Sequence, residues 1–405
     1  MAEREHMFPG DAGENATGGV FKQMNSTPAM AVEHAAGSKS AVRFRKARFE
    51  DHGQITDLQA RYGMDTETYE AWIHVWADNP ACQDFPDWPI GWILENEENR
   101  VVGYIGNLPR RYEFGDRKML IASTRGLVVD APYRSYSLPL LSHFFNQRQV
   151  DLFLDTTVGP GATKAHEIFR ALRVPAGMWD QAFFWITNYE GFSASLLARK
   201  QVRGSKSLCR PLSAGLFLRD VLQGRKFRMR CNGVEASFCN QLDGRFEDFW
   251  QQLRKSSPPR LLANRSQQML DWHFKQPLAD NRAWVLTMGK GSALSAYAIF
   301  LRQDNASFSL KRMRLVDFQA LDDSTELLSP MLCHAFARCQ REGVHMLEAM
   351  GFAAEKQRVI DSLLPHRRSL SSWRYFYKTG NRELAESLKN PQVWDTSCYD
   401  GDASL

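Results

Sequence analysis

The 405-residue chain contains no run approaching eighteen apolar residues, and its first residues lack the apolar core of a secretion signal. No membrane span is expected, and the sequence reads as that of a cytoplasmic protein. Cysteines number seven, none in a CxxC pair and none beside histidines at zinc spacing. That pattern argues against a structural metal and a disulfide framework, and it fits a reducing compartment. No Ser/His/Asp motif marks a protein nucleophile. The excess of one charge sign is small as well: the net charge is +5, with 43% hydrophobic and 24% charged residues. The basic runs GRKFRMR (224–230) and HRR (366–368) lie far apart in the sequence. They read as solvated surface rather than a concentrated nucleic-acid face.

What the chain does have is enough apolar material for two cores, laid out in a repeating order. Residues 1–40 are rich in Gly, Ala, Ser and Asn without any sustained period, which predicts a disordered tail. Order is expected from Val42. VRFRKARF alternates like a strand, and EDHGQITDLQARYG reads as a helix. An aromatic stretch with Trp72, Trp76 and Trp88 reads as core. Three strand patterns follow, IGWILENEE, RVVGYIGNLPRRYEF and KMLIASTRGLVVD, with hairpin turns between them. A helix with Leu138, Leu141, Phe144 and Phe145 on one face comes next, then the strand VDLFLDTT, the helix GATKAHEIFRALR and the strand AFFWITNY.

Residues 191–260 read as a basic, helical connector, and KSSPPR (255–260) is a break. Beyond it the order of strands and helices repeats. PLLSHFFNQ (139–147) lies over PMLCHAFAR (330–338), matching Pro139/Pro330, Leu141/Leu332, His143/His334 and Phe145/Phe336. Upstream, LVVD (127–130) echoes RLVD (314–317). Shared letters and shared order together predict an internal duplication. The divisions are a tail (1–40), a first domain (41–190), a connector (191–260), a second domain (261–380) and a C-terminal tail (381–405).

The stretch VVDAPYRSYSLPLLSHFFNQ (128–147) invites a chemical question. A helix mouth suits an anion, because its first N–H groups are unpaired and its dipole is positive there. Ser137 fits an N-cap and Pro139 sits in the first turn without harm. Arg134 can fork onto a phosphate, with Ser135, Tyr136 and Ser137 as hydrogen-bond donors.

With Val129, Pro132, Tyr133 and Arg134 in register, this loop resembles the pyrophosphate loop of the GNAT superfamily of acyl-CoA-dependent acyltransferases. Ser137 and Pro139 stand where the superfamily has small residues, and Pro139 supplies no amide. The chain is also similar to a narrower group of tandem-GNAT bacterial proteins associated with surface polysaccharides. The shared features are YRSYSLPLL, the tryptophan-rich front, Arg265-SQQM-Leu270-Asp271-Trp272 and YDGDAS, over residues 42–405.

The resemblance implies an α/β fold of two GNAT-like domains, each a mixed, mainly antiparallel sheet flanked by helices. It implies acetyl-CoA or another acyl-CoA as co-substrate, no metal, and a small amine acceptor, an amino sugar of a surface-polysaccharide precursor being the first choice. Leu127, Val128 and Val129 would meet pantetheine through their main chain, and Arg134, Ser135, Tyr136, Ser137 and Leu138 would hold the pyrophosphate. Tyr104, Ser123 and Thr124 would line the acceptor side. Direct attack by the amine needs a base, for which Asp155 is the first candidate, with His166 and Glu167 as alternatives. The tyrosine that protonates the leaving thiolate in many relatives is Phe169 here. Asp322 and Asp323 stand in the second half where a phosphate site wants positive charge, so the second domain is expected to be a degenerate copy. Two other readings stay open. One is a non-catalytic protein that binds coenzyme A or a protein partner. The other is a Fem-like transferase fed by aminoacyl-tRNA, against which the sequence displays no long helical hairpin insertion. Nothing in the sequence sets the oligomeric state.

Overall fold

The computed structural model describes residues 41–202, 205–225, 235–255, 258–291, 293–370 and 373–405. The expected disordered tail (1–40) and most of the basic run 224–230 lie outside them. Among the described residues no helix is long and apolar enough to cross a membrane.

The first half begins with strand β1 (Arg43–Lys46), helix α1 (His52–Arg61), helix α2 (Tyr69–Ala77) and the short α3 (Pro80–Gln83). Strands β2 (Gly91–Glu95), β3 (Val101–Phe114) and β4 (Arg117–Val129) form the predicted meander. Helix α4 (Ser137–Phe145), β5 (Leu152–Asp155), α5 (Thr163–Ile168), the two-residue β6 (Leu172–Arg173) and β7 (Gln181–Ile186) complete it. The stretch read as a connector holds α6 (Tyr189–Arg199), α7 (Ser205–Leu222), β8 (Ser237–Cys239) and α8 (Gly244–Leu253). The second half runs β9 (Leu261–Ala263), α9 (Gln267–Ala279), β10 (Ala283–Lys290), β11 (Ala293–Arg302), β12 (Arg312–Ala320), α10 (Leu328–Arg341), β13 (Met346–Met350), α11 (Ala354–Ser362), β14 (His366–Ser369), β15 (Phe376–Lys378) and α12 (Arg382–Ser387).

Two sheets result, each with one parallel pair. The first is ordered β1-β2-β3-β4-β5-β15-β6, with β9 added beside β3; the second is β14-β7-β13-β12-β11-β10-β8. β4 and β5 are parallel in one, β12 and β13 in the other. In each sheet the strand beyond the parallel pair comes from the other half: β15 pairs β5, and β7 pairs β13. The same exchange at equivalent places fits the predicted duplication. The α6–α7 pair, of 11 and 18 residues, is the helical pairing the sequence reading did not find. Cysteines 82, 209, 239, 339 and 398 are free, whereas Cys333 is disulfide-bonded, which corrects the expectation of no disulfide at that position.

Packing follows the sheets. One core lies between them and joins Tyr112 and Ile121 of the first sheet to Tyr297 and Ile299 of the second, with Phe246, Trp250 and Tyr399 between. A second core fills the outer face of the first sheet, under Leu58, Trp76 and Phe144. A third lies under α10 and α11. Each fully buried Leu or Phe contributes about 1.5–3 kcal/mol. On α4 the buried face is Leu140, Leu141, Phe144 and Phe145, while Leu138, expected there, is 37% exposed. The cause is local. A 3-10 turn (Ala131–Tyr136) runs straight into α4 and resets its phase.

Candidate functional site

β4 is 13 residues long, yet only Ile121, Ala122 and Ser123 pair with β5. Beyond Ser123 the β4–β5 pairing stops, while on its far edge β5 stays paired with β15 through Asp155 and Phe376. The edge of β4 from Thr124 to Val129 therefore has no ladder partner on that side among the described residues. On its other side the register with β3 shifts between Tyr104 and Gly106, which face Val128 and Arg125. That is a bulge, and Gly126 within it has φ +67°, a conformation that costs other L-residues about 1–2 kcal/mol. A bulge leaves main-chain groups out of the ladder.

The mouth of α4 closes one end of this gap. Ser137 does not cap the helix, because the 3-10 turn precedes it and Ser137 N donates to Arg134 O. Tyr133 N donates to Asp130 O at 2.9 Å, and Ala131 N to Tyr62 Oη at 2.7 Å. The mouth thus offers fewer free amides than a helix start does, and presents side chains instead. Arg134, Ser135 and Leu138 are exposed, Ser137 is half-buried, and the Tyr136 ring packs on Phe44. Leu127 is half-buried; Val128 and Val129 are buried in β4. An acyl-CoA fits the open strand edge and the exposed Arg134 and Ser135. It fits less well a cradle of backbone amides.

The inner strands carry the predicted acceptor-side residues. Tyr104, Ser123 and Thr124 are all buried, and neither Tyr104 Oη nor Ser123 Oγ has a hydrogen-bond partner among the described residues. Burial raises the Tyr104 pKa, with the nearby Arg125 opposing and Glu67 adding to the rise. Buried hydroxyls without partners cost about 1–3 kcal/mol each unless something else meets them.

Asp155 and His166, chosen independently from the sequence, meet. His166 Nε2 lies 2.8 Å from Asp155 Oδ2, and Nδ1 lies 2.8 Å from the Ala162 carbonyl. That carbonyl can only accept, so Nδ1 carries a proton. Burial pulls the ring's pKa down, but the Asp155 hydrogen bond and charge outweigh it and the net shift is upward. The ring is thereby engaged at both nitrogens, one on a carbonyl and the other on a carboxylate. Glu167 lies on the exposed face of α5, away from this pair.

A segment far along the chain completes the site. Residues 395–404 are buried or nearly so between the sheets, where Arg110 donates to Tyr399 O (2.8 Å) and Gly401 O (3.2 Å). Gly401 has φ +55°, and a Cβ there would stand 2.7 Å from Ser123 Oγ and 2.8 Å from Thr156 Cγ2. This turn delivers Asp402, whose Oδ1 accepts from Thr156 Oγ1 at 2.7 Å. Burial pushes the Asp402 carboxyl up to about 6; Arg125 opposes that rise and Asp155 adds to it. Asp402 and Thr157 line a cavity of about 930 Å³ that opens between the sheets. Sequence reasoning missed Asp402; the Asp-Gly-Asp motif was its only signal.

Farther from the gap, Arg265 and Asp317 form a fully buried bidentate pair (2.8 and 3.0 Å). Tyr297 Oη and Ser397 Oγ also donate to Asp317. Trp272 Nε1 donates to His74 O at 3.1 Å, so the Arg265–Trp272 element ties α9 to α2 and to the second sheet.

No protein-family profile and no curated protein matches the chain. Solved structures do. N-myristoyltransferase of Saccharomyces cerevisiae, with bound myristoyl-CoA, superposes at TM-score 0.54 with 10% identity, over 86% of this chain and 81% of that one. A conserved protein of Enterococcus faecalis V583, described as a probable N-acyltransferase, reaches 0.51 at 10% identity, over 84% and 72%. A GCN5-related N-acetyltransferase from Anabaena variabilis ATCC 29413 follows at 0.48 and 12%, over 84% and 73%. What the first two likenesses establish is the fold alone: two mainly antiparallel, helix-flanked sheets of the kind these acyltransferase structures contain.

Proposed function

We propose that the protein is an acyl-CoA-dependent N-acyltransferase acting by direct attack of an amine acceptor. The observation that carries this reading is the open edge of β4 from Thr124 to Val129, beside a bulge and an arginine-bearing helix mouth. Acyl-CoA supplies an activated carbonyl. Main-chain groups of Leu127, Val128 and Val129 hold its arm, and a bulge amide faces the carbonyl oxygen, where charge develops. Arg134, Ser135, Tyr136, Ser137 and Leu138 form the phosphate end. The acceptor amine enters from the interdomain cavity past Tyr104, Ser123 and Thr124. As its nitrogen bonds the carbonyl carbon and the C–S bond breaks, the ammonium proton passes to the Asp402 carboxylate. The thiolate leaves unprotonated, since Phe169, packed on Phe145, has no proton to give. Asp155 and His166 fix the end of β5, and through Thr156 the orientation of Asp402. An amino sugar of a surface-polysaccharide precursor remains the acceptor class proposed.

Calorimetric titration with coenzyme A and acetyl-CoA, beside an Arg134→Ala variant, tests the reading. Saturable binding that weakens roughly tenfold in the variant, the loss of one charge-assisted contact, is expected. A folded wild type that binds neither ligand would sink it. The α6–α7 pair supports a second reading, an aminoacyl-tRNA donor, because the missing hairpin was the ground for setting that donor aside. Charged-tRNA binding that falls steeply with salt would mark it.

A further inference from the structure

Apolar side chains left in solvent collect on one helix. Among the described residues nine large hydrophobic side chains are exposed, and four of them, Leu208, Phe217, Leu218 and Leu222, belong to α7. Phe217 leans on Tyr189 of α6, with ring centroids 5.5 Å apart. The other three lie on one stripe. Leu208, Pro211, Gly215, Leu218 and Leu222 recur at steps of three and four, so they share one side of the helix, and each is exposed. Ala214 beside them is exposed too. The opposite side of α7 faces the protein: Cys209 Sγ donates to Glu190 O of α6 at 3.4 Å, and Asp220 is buried. A surface helix usually turns its apolar side inward and its charges outward. Here leucines point to solvent, Leu222 with 78% of its surface open, while a carboxylate is drawn inside.

The charge around the stripe has one sign. Residues 199–230 carry ten Lys and Arg against one acid, Asp220, a net +9 in a chain that totals +5, so the remainder comes to −4. That acid is satisfied within the protein. Its Oδ2 accepts from Tyr189 Oη at 2.9 Å and meets His366 Nε2 at 2.9 Å, and Arg219 and Arg225 donate to Oδ1 at 3.4 and 3.5 Å. Lys200 and Arg210, in contrast, are exposed. α6 adds a single carboxylate, Glu190 in its first turn.

Two occupants suit an apolar stripe of this length, and the charge separates them. A second copy of α7 would bring two such basic segments together, and Pro211 and Gly215 in the middle of the stripe supply no knobs for a helical seam. A bilayer needs no matching shape: leucines enter the headgroup boundary while Lys and Arg beside them meet anionic headgroups. We propose that the outer face of α7 is a docking surface for an anionic lipid bilayer, with the helix lying in the plane of the interface. The proposal stands independently of the transferase reading.

Cosedimentation of the full chain with lipid vesicles tests it, using phosphatidylcholine alone and phosphatidylcholine with about 30% phosphatidylglycerol. Wild type is compared with the double variant Leu218→Gln, Leu222→Gln and with Arg210→Gln. All three side chains are exposed, so the variants should keep the fold, which melting curves check. The expected result is binding to the anionic vesicles that falls as salt rises, with little binding to the neutral ones. The double variant should bind at least tenfold more weakly, and Arg210→Gln about fivefold more weakly. A wild type that leaves anionic vesicles in the supernatant would overturn the proposal. Equal binding by the double variant would show that charge alone acts, and equal binding to neutral vesicles that the basic residues select nothing; either overturns it as well. Light scattering covers the remaining occupant: a wild-type dimer that the double variant dissolves, without vesicle binding, would assign the stripe to a second copy of this chain.

Discussion

At the scale of single residues, the site is a division of labour among carboxylates set by their surroundings. Asp155 is locked to the His166 ring, whereas Asp402 meets a threonine hydroxyl, the opposing positive charge of Arg125 and a neighbouring negative charge. A carboxyl raised to about 6 is basic enough to take a proton near neutrality and is still ionised there. Asp402→Asn should lower kcat about 10²–10⁴-fold, the usual size of a general-base effect, and leave acyl-CoA binding intact. Because the base acts when deprotonated, the wild-type rate should rise with pH through about 6, and the variant should lose that limb. The stability sign is opposite. A folded pKa above the unfolded value gives stability that is present below about pH 4 and lost as pH climbs through about 6. At pH 8 the Asn variant should therefore melt no lower than wild type; a lower melting temperature with normal kcat would make Asp402 structural. Residue types legible in the sequence covered half of this. Tyr104, Ser123, Asp155 and His166 belong to elements adjacent in the chain, so local pattern leads to them. Asp402 reaches Thr156 across 246 positions, and no local pattern encodes such a contact.

Elements were legible where a pattern runs long enough to be periodic. The β2–β3–β4 meander and α1, α10 and α11 follow directly from alternation and helical spacing. β6, β8 and β9, of two or three residues, hold too few side chains to show any period. α9 hides behind Pro277 in its last turn, and Ser137 is displaced as cap because a 3-10 turn takes up the helix start. The same scale governs how the buried segment is aimed. Gly401 holds a left-handed turn against Ser123 and Thr156, so Gly401→Ala adds both a backbone cost of about 1–2 kcal/mol and a clash with two fixed side chains. We expect it to lower the melting temperature and, by moving Asp402, to reproduce much of the Asp402→Asn loss in kcat. Normal activity in a Gly401→Ala protein would mean that the turn does not position the base.

At the scale of the molecule, the strand exchange makes the two halves one folding unit. The repeat of element order was legible, because it is written twice in the chain. The exchange was not, since neither the three residues of β15 nor the continuous apolar run of β7 carries a mark of the sheet that receives it. Its energetic consequence is direct. A fragment of residues 41–260 lacks β15, so β5 and β6 lose the strand between them, and its β7 has no sheet to enter. A fragment of residues 261–405 lacks β7, which separates β13 from β14. The shared core is divided by the same cut, whereas the Arg265–Asp317 pair, with Ser397 and Tyr297 upon it, lies wholly in the second fragment. Arg265→Met would strand Asp317 in the interior, a loss of about 3–5 kcal/mol for a broken buried pair. In a molecule whose halves cannot fold apart, that loss should appear as one shifted transition rather than as the melting of one domain before the other. Differential scanning calorimetry of wild type and Arg265→Met decides this. Two resolved transitions, or a soluble fragment with native-like sheet content, would show that each half closes its own sheet and that the exchange adds nothing to cooperativity.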